Sequence, residues 1–396
     1  LKICLVSNRY PPLVKGGAEI YVQRLATALA DEHHVVVVTM EPGTHLQPRR
    51  EIRSEGVVVY RLAPFFRAFD LYHPQVATTM SDIIKHERPD LVHVHNWKGL
   101  SLAALLGSVP SSAPHIPVAM TLHDYSLCCI HADLRHPDGH GCEPRLPCRL
   151  LSTFNRRLTA RVGLAISPSA YTLEQHHARG FFHHADRQVL PNGIEPEIGF
   201  ARDGGGPKPT FDILYMGRVQ GYKGPDVLIR AFRRLSNPSL RLHIAGAGPA
   251  LEVCRSLAAG DPRIRLYGFV EGAERIRLLS RADCVVLPSL WPENAPVTIQ
   301  EAFQFGPVVI ASRIGGIPEM IRDGVNGLLI EPGDEAGLAA AIERLRTSPE
   351  LVIKLRASAL ETARLYDMRF HLARLVEAYQ RLLITDRLRP FDQHAA

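Results

Sequence analysis

The sequence predicts an α/β protein of two doubly wound domains, each a parallel sheet with helices on both faces. Three observations carry that reading. Short β-branched runs alternate with helical patterns along most of the 396 residues. The strand runs are continuously apolar rather than alternating, as strands buried on both faces require. The rhythm also occurs twice, on either side of the Gly/Pro-rich stretch "EIGFARDGGGPKPT" (197–210), which reads as a linker. The break sets an N-terminal domain at 1–195 and a C-terminal domain at 196–367.

In the first half, strands are expected at "KICLVS" (2–7), "HVVVVTM" (34–40), "GVVVYRL" (56–62), "DLVHVH" (90–95), "PVAMTLH" (117–123), "GLAISP" (163–168) and "QVLPNG" (188–193). Helices fit between them at Ala18 to Ala30, Gln75 to Glu87 and Ser152 to Arg161. The second half repeats the scheme at "FDILYMG" (211–217), "LRLHIAG" (240–246), "RIRLYGF" (263–269), "CVVLPS" (284–289), "PVVIAS" (307–312) and "NGLLIEP" (326–332). A helix-only tail follows from about Asp334 to Leu383. Two such domains in series, with strand carboxyl ends facing across a cleft, make a natural nucleotide site.

Bulk composition narrows the partners. An apolar fraction of 46% and a charged fraction of 22% belong to a soluble globular chain. Lys and Arg exceed Asp and Glu by 20 to 17 in residues 1–195 and by 26 to 23 in 196–396, so each half carries +3 of the net +6. Neither half is a polybasic tail, and no nucleic-acid partner is indicated. The spread suits an anionic small ligand or an acidic membrane surface. Sixteen of the 19 histidines precede residue 196, and His176, His177, His183 and His184 read as surface residues. The apolar start is too short for a signal-peptide core, no run approaches a membrane span, and seven cysteines suggest reduced thiols in a cytosol.

Ligands of open parallel sheets bind beyond the carboxyl ends of the strands. After the first strand, "SNRYPPLVKGGAE" brings Gly16 and Gly17 to a helix start, where backbone amides can approach an anion; an ordinary glycine turn fits as well. After the first strand of the second half, "MGRVQGYKGPDVLIRAF" sets Arg218 and Lys223 in a loop closed by Gly224 and Pro225, a cation pair suited to a diphosphate. "HIAGAGPAL" (243–251) is a glycine turn near the same place, and "YGFV" (267–270) can offer the backbone of Phe269 and Val270 to a base edge or be a plain strand end. His123, in "TLHDYS", ends an apolar strand where a histidine can donate to a phosphate or sugar hydroxyl. His93 and His95 alternate along one strand and share a face. In "WPENAPVTIQEAF", Pro296 starts a helix running to about Phe305, so Glu293 lies in the loop before it and Glu301 over a turn inside. That split suits two grips on one long polar ligand rather than a paired acid and base.

With these residues assembled, the chain resembles the retaining glycosyltransferases of family 4, with the GT-B fold, over essentially its whole length. The motifs that carry the resemblance are Gly217-Arg218 with Lys223-Gly224, "PSLWPENAPVTIQEAF" and "GGIPEMIRDGVNGLLIEPGD". The resemblance implies that Glu293 lies against the donor sugar, with the stretch Asn294, Ala295, Pro296 and Val297 at its hydroxyls, although relatives often carry a glycine where this loop reads "ENAP". It implies that Glu301 holds the ribose, that Arg218 and Lys223 hold the diphosphate, that Gly16 and Gly17 approach it from the other domain, and that His123 sits at the reaction centre. The last helix, about 368–396, is expected to pack back on the first domain.

The implied activity is transfer of a sugar, with retained configuration, from a nucleoside diphosphate to a hydroxyl acceptor, by a front-face displacement in which the leaving diphosphate helps deprotonate the acceptor. The setting implied is cytoplasmic or the inner face of a membrane, in making cell-surface polysaccharide, glycolipid or another glycoconjugate. The donor is expected to be a UDP-sugar, with a GDP-sugar second, and no cofactor is required. A nucleotide-sugar epimerase and a non-catalytic nucleotide-sugar binder are the competing readings. A lipid-linked molecule is among the candidate acceptors, and the acceptor, the linkage and the oligomeric state stay open.

Two segments stand outside these motifs. "CCIHADLRHPDGHGCEPRLPC" (128–148) is a long loop for shaping acceptor choice, and its Cys128, Cys129, Cys142 and Cys148 are weak zinc candidates without paired knuckles. "RLLSTFNRRLTAR" (149–161) is a basic amphipathic helix that either rests on an anionic membrane or faces solvent.

Overall fold

A computed structural model describes residues 1–13, 16–43, 48–63, 73–98, 100, 116–134, 146–195 and 208–388. The chain divides into two compact units, one comprising Leu1–Gly193 with Met368–Ala396 and the other Ile194–Asp367.

Unit 1 holds an eight-stranded sheet in the order β3-β4-β2-β1-β5-β6-β7-β8. Its strands are β1 (Lys2–Ser7), β2 (His34–Met40), β3 (Arg49–Ile52), β4 (Val58–Leu62), β5 (Leu91–Asn96), β6 (Val118–Thr121), β7 (Leu164–Ser167) and β8 (Asp186–Val189). All pair in parallel except β3, which lies antiparallel on β4 at the edge. The apolar runs that predict β1, β2 and β5 are buried on both faces, as a helix-covered parallel sheet requires.

Among the described residues its helices before the last are α1 (Gly17–Ala30), α2 (Pro74–Glu87), α3 (Leu146–Thr159) and α4 (Ala170–His177). On α1, Tyr21, Val22, Leu25, Ala26 and Leu29 recur at helical spacing and are buried. The last helix of the chain (Met368–Arg387, α12 below) meets them with Leu375, Ala378, Tyr379 and Leu382, in one core with β1 and β2. Leu375 is fully buried there, and truncating such a leucine to alanine costs about 2–5 kcal/mol.

Unit 2 holds a six-stranded, wholly parallel sheet in the order β11-β10-β9-β12-β13-β14. The strands are β9 (Phe211–Met216), β10 (Leu240–Ala245), β11 (Ile264–Gly268), β12 (Cys284–Leu287), β13 (Val308–Ser312) and β14 (Leu328–Ile330). The helices between and after them are α5 (Pro225–Arg233), α6 (Leu251–Ala258), α7 (Gly272–Arg281), α8 (Val297–Phe305), α9 (Ile317–Met320), α10 (Glu335–Thr347) and α11 (Pro349–Ala363), and α12 (Met368–Arg387) returns to unit 1. In each sheet the strand order reverses beside the first strand of the unit, between β1 and β5 and between β9 and β12. These switch points are where an open α/β sheet binds its ligand.

Several elements differ from the sequence reading. Strand β3 is an addition: "RREI" is a charged edge strand with no apolar signature. Strand β8 starts at Asp186 and stops at Val189, because Pro191 has no N–H to carry the ladder on. Helix α3 already includes Leu146, ahead of the expected Ser152. His176 is not at the surface: it is fully buried, stacked on Tyr125 at 5.9 Å and donating from Nδ1 to the Thr172 carbonyl. Most of the expected linker, residues 197–207, lies outside the described residues. Among those described, no helix is long and apolar enough to cross a membrane.

Candidate functional site

In unit 2 the loops after β9 and β12, which flank the switch point, bring Lys223 and Glu293 together. Lys223 ends a 3-10 turn (Gly221–Lys223), and its Nζ lies 2.6 Å from Glu293 Oε1. The same carboxylate oxygen accepts from Ser289 Oγ at 2.7 Å. Glu293 is only 4% exposed, so the ammonium and the hydroxyl offset the cost of burying its charge. Trp291 covers the pair: Lys223 Nζ stands 5.0 Å from its ring centroid, and Tyr222 packs edge-on to it at 5.4 Å.

Two glycines hold these loops in place. Gly224 has φ +68, and a Cβ on it would fall 2.0 Å from the Pro288 carbonyl oxygen, so only glycine lets the Lys223 turn lie on the end of β12. Gly315, φ +61, lies against the backbone of Glu293, and the Gly316 N–H donates to the Glu293 carbonyl at 2.7 Å. The sequence motif beginning "GGIPEM" therefore supports the glutamate loop from beneath.

Arg218 follows β9 with an exposed side chain, while its carbonyl accepts from Tyr215 Oη at 2.7 Å. Pro296 is the N-cap of α8 rather than its first helical residue, with ψ 119, and no side chain caps this helix start. Thr298 Oγ1 donates to the Met216 carbonyl at 3.3 Å, tying that helix start to the end of β9. Asn294 is buried, and Ala295 and Val297 are half-buried. Glu301, on the second turn of α8, accepts from Arg275 Nη1 at 2.9 Å, a partner from α7 that the sequence reading missed. Phe269 and Val270 directly follow β11, and the Phe269 ring is 73% exposed.

In unit 1, Gly16 is the N-cap of α1 in extended backbone, and the Glu19 carboxylate folds back to 3.0 Å from where a Gly16 Cβ would sit. His123, two residues beyond β6, belongs to a cluster that the sequence reading only half saw. Its Nε2 lies 3.2 Å from His95 Nδ1, and the His95 ring stands 4.0 Å from that of His93. His93 is held at both nitrogens, by Tyr379 Oη at 2.5 Å and Thr121 Oγ1 at 2.8 Å. Tyr21 packs on His95, His123 and His371 at 5.7, 5.6 and 5.5 Å. Burial keeps these imidazoles neutral: His93 is pushed down to about 3, His123 and His371 to about 4, and His95 well below the ordinary value. The Asp124 charge opposes the shift at His123.

Cys128, Cys129 and Cys148 are buried thiols, and burial raises Cys128 to about 12; Cys142 lies outside the described residues. Among the described residues, no group of three or more His, Cys, Asp or Glu is arranged to hold a metal ion.

Comparison with known proteins covers both halves. Residues 15–198 match the family described as Glycosyltransferase Family 4, and residues 201–365 match Glycosyl transferases group 1. The chain is 29% identical over 378 residues to a glycogen synthase of Mycobacterium tuberculosis, covering 88% of this chain and 87% of that protein. Among solved structures it is similar to the sucrose-phosphate synthase of Thermosynechococcus elongatus (TM-score 0.77, 20% identity, 97% of this chain and 99% of that one). It is also similar to Anabaena HepE in complex with UDP (TM-score 0.73, 19% identity, 96% and 100%). These structural likenesses show the fold: two parallel-sheet α/β domains of the GT-B type.

Proposed function

The chain belongs to the group 1 glycosyltransferases of family 4, and from that premise we propose that it transfers a hexose from a nucleoside diphosphate sugar to a hydroxyl acceptor with retention of anomeric configuration. The observation that carries this reading is the meeting of Lys223 and Glu293 at the switch point of unit 2. A cation for the diphosphate and a carboxylate for sugar hydroxyls, 2.6 Å apart, mark the junction between phosphate and sugar. Arg218, exposed on the same loop as Lys223, is the second diphosphate cation. The uncapped start of α8, from Asn294 through Val297, addresses the sugar hydroxyls, and Glu301 the ribose.

A UDP-sugar is the favoured donor, supported by the UDP bound in the similarly folded HepE. Phe269 and Val270 are assigned to the base, Gly16 and Gly17 to the diphosphate, and His123 to the reacting sugar. Neither Glu293, already committed to Lys223 and Ser289, nor Glu301 is assigned as a nucleophile. Rate enhancement then comes from positioning and from charge stabilisation of the leaving diphosphate. The basic helix α3 and a membrane-held, lipid-linked acceptor belong to the same proposal, at the inner face of a membrane.

A panel of UDP- and GDP-sugars, scored by thermal shift and by acceptor-dependent nucleotide release, tests it. The expected result is that one UDP-sugar stabilises the protein and that acceptor extract accelerates UDP release. Absence of any donor-dependent shift across the panel overturns it.

A further inference from the structure

His123 is one end of a chain of rings whose hydrogen-bond directions can be worked out. The far end is fixed by a carbonyl. His371 Nδ1 lies 2.8 Å from the Pro191 carbonyl oxygen, which can only accept, so the His371 proton is on Nδ1. His371 Nε2 therefore accepts, and Tyr21 Oη, 2.7 Å away, donates to it. The Tyr21 proton is thus spent on α12.

His95 sits between this tyrosine and His93. It is 3% exposed, its Nδ1 faces His123 Nε2 at 3.2 Å, and its Nε2 is buried with no hydrogen-bond partner. A neutral His95 has one N–H to place. On Nε2 that N–H would be a buried donor with no acceptor, the rarest kind of unsatisfied group. On Nδ1 it meets His123. The neighbouring His93 ring cannot turn to relieve His95, because Tyr379 and Thr121 occupy both of its nitrogens.

We infer that His95 is a positioning residue for His123: His95 Nδ1–H donates to His123 Nε2, which places the His123 proton on Nδ1 and makes that nitrogen a hydrogen-bond donor towards the sugar nucleotide rather than a base. The inference rests on the proposed role of His123 at the reacting sugar, but the proton's location is measured without reference to activity. His93, Tyr379 and Thr121 support His95 from behind, so the last helix of the chain contributes to the catalytic side of unit 1.

The test uses the full chain with 15N-labelled histidine and side-chain 15N–1H correlation spectra, assigned with His123→Gln and His95→Gln. His123 is expected to be protonated on Nδ1 and bare on Nε2. His95→Phe keeps a ring but loses the donor; His123 is then expected to move towards the Nε2–H form, and turnover to fall about tenfold with donor KM within about twofold. His95→Gln, which retains an N–H donor, is expected to recover part of both. A His123 protonated on Nε2 in the unaltered protein overturns the inference, as does a His95→Phe protein whose His123 signals and turnover are unchanged. Should His95→Phe fail to fold, the unaltered spectrum and His95→Gln decide. Normal turnover in His123→Ala removes the proposed role of His123 and leaves the spectra to judge the wiring alone.

Discussion

Lys223 Nζ and Glu293 Oε1 stand 2.6 Å apart although 70 residues separate them in the chain. The pair has a structural side and, on the reading proposed above, a catalytic one, and substitutions separate the two. Lys223→Met leaves a buried carboxylate with Ser289 as its remaining named partner, a change expected to cost about 3 kcal/mol. Lys223→Met with Glu293→Gln is expected to be less destabilised than the sum of the single changes. Chemical denaturation of the four proteins measures this coupling, and strict additivity would show that the ion pair contributes nothing.

Arg218 tests the phosphate role without that complication. Its side chain is exposed, so Arg218→Ala is expected to change stability by no more than about 0.5 kcal/mol. Turnover is expected to fall about 100-fold or more, as when a transition-state charge loses its counter-ion. Nucleotide release at the unaltered rate, in a protein that melts normally, removes Arg218 from the diphosphate site.

Arg275 holds Glu301 at 2.9 Å, and both side chains are half-buried, 19% and 16% exposed. If Glu301 grips the ribose, Arg275→Met is expected to raise donor KM about tenfold with kcat nearly unchanged, because the ribose is bound equally before and during reaction. A fall in kcat at constant KM would instead place this pair next to the chemistry.

How much of this was legible depended on whether partners are local. The continuous apolar runs announced the parallel strands, and "GR…KG" and "WPENAPVTIQEAF" announced the loops after β9 and β12, because strand-end loops carry their own sequence signals. Strand β3 gave no signal, since an edge strand of "RREI" is held by pairing with β4 and by charges such as Glu51 with Arg61. The ring cluster was half legible. "VHVH" shows two histidines on one face, but Tyr21 finds His371 only because α12 returns to unit 1, 350 residues later. Partners that distant are chosen by topology, which no short stretch of sequence records.

The buried imidazoles are expected to make unit 1 acid-sensitive. Native values of about 3 for His93 and about 4 for His123, His176 and His371 lie below the ordinary value near 6.5. Below about pH 6.5 the unfolded chain binds protons that the folded chain refuses, so stability is intact above that pH and declines as pH falls towards about 4, and at His93 towards about 3. Unit 2 has one histidine in residues 194–367, His243. At Asp212 burial raises the carboxyl, but the His243 and Lys208 contacts together outweigh it and hold it at about 2, so its contribution is lost only below about pH 4. Hydrogen exchange at about pH 5 and about pH 7.5 should therefore show weakened protection in unit 1 and little change in unit 2; equal weakening in both counts against the histidine explanation.

Gly315 offers a way to move Glu293 without changing it. A Cβ at Gly315 would stand 2.3 Å from the Glu293 carbonyl oxygen and 2.6 Å from its nitrogen. These are backbone atoms, so the loop itself must shift, and φ +61 adds strain for any residue but glycine. Gly260, φ +82 with nothing within 4 Å of a Cβ, provides the comparison, because alanine there brings backbone strain alone. Both alanine variants are expected to lose about 1–2 kcal/mol of stability from the left-handed backbone, with an added steric cost at Gly315. Turnover should separate them. A displacement of about 1 Å at a positioning group can cost about 100-fold, so Gly315→Ala is expected to lose that much while Gly260→Ala stays near the unaltered rate. If the two variants fall in turnover only in proportion to their stability, the placement of Glu293 is not what Gly315 protects.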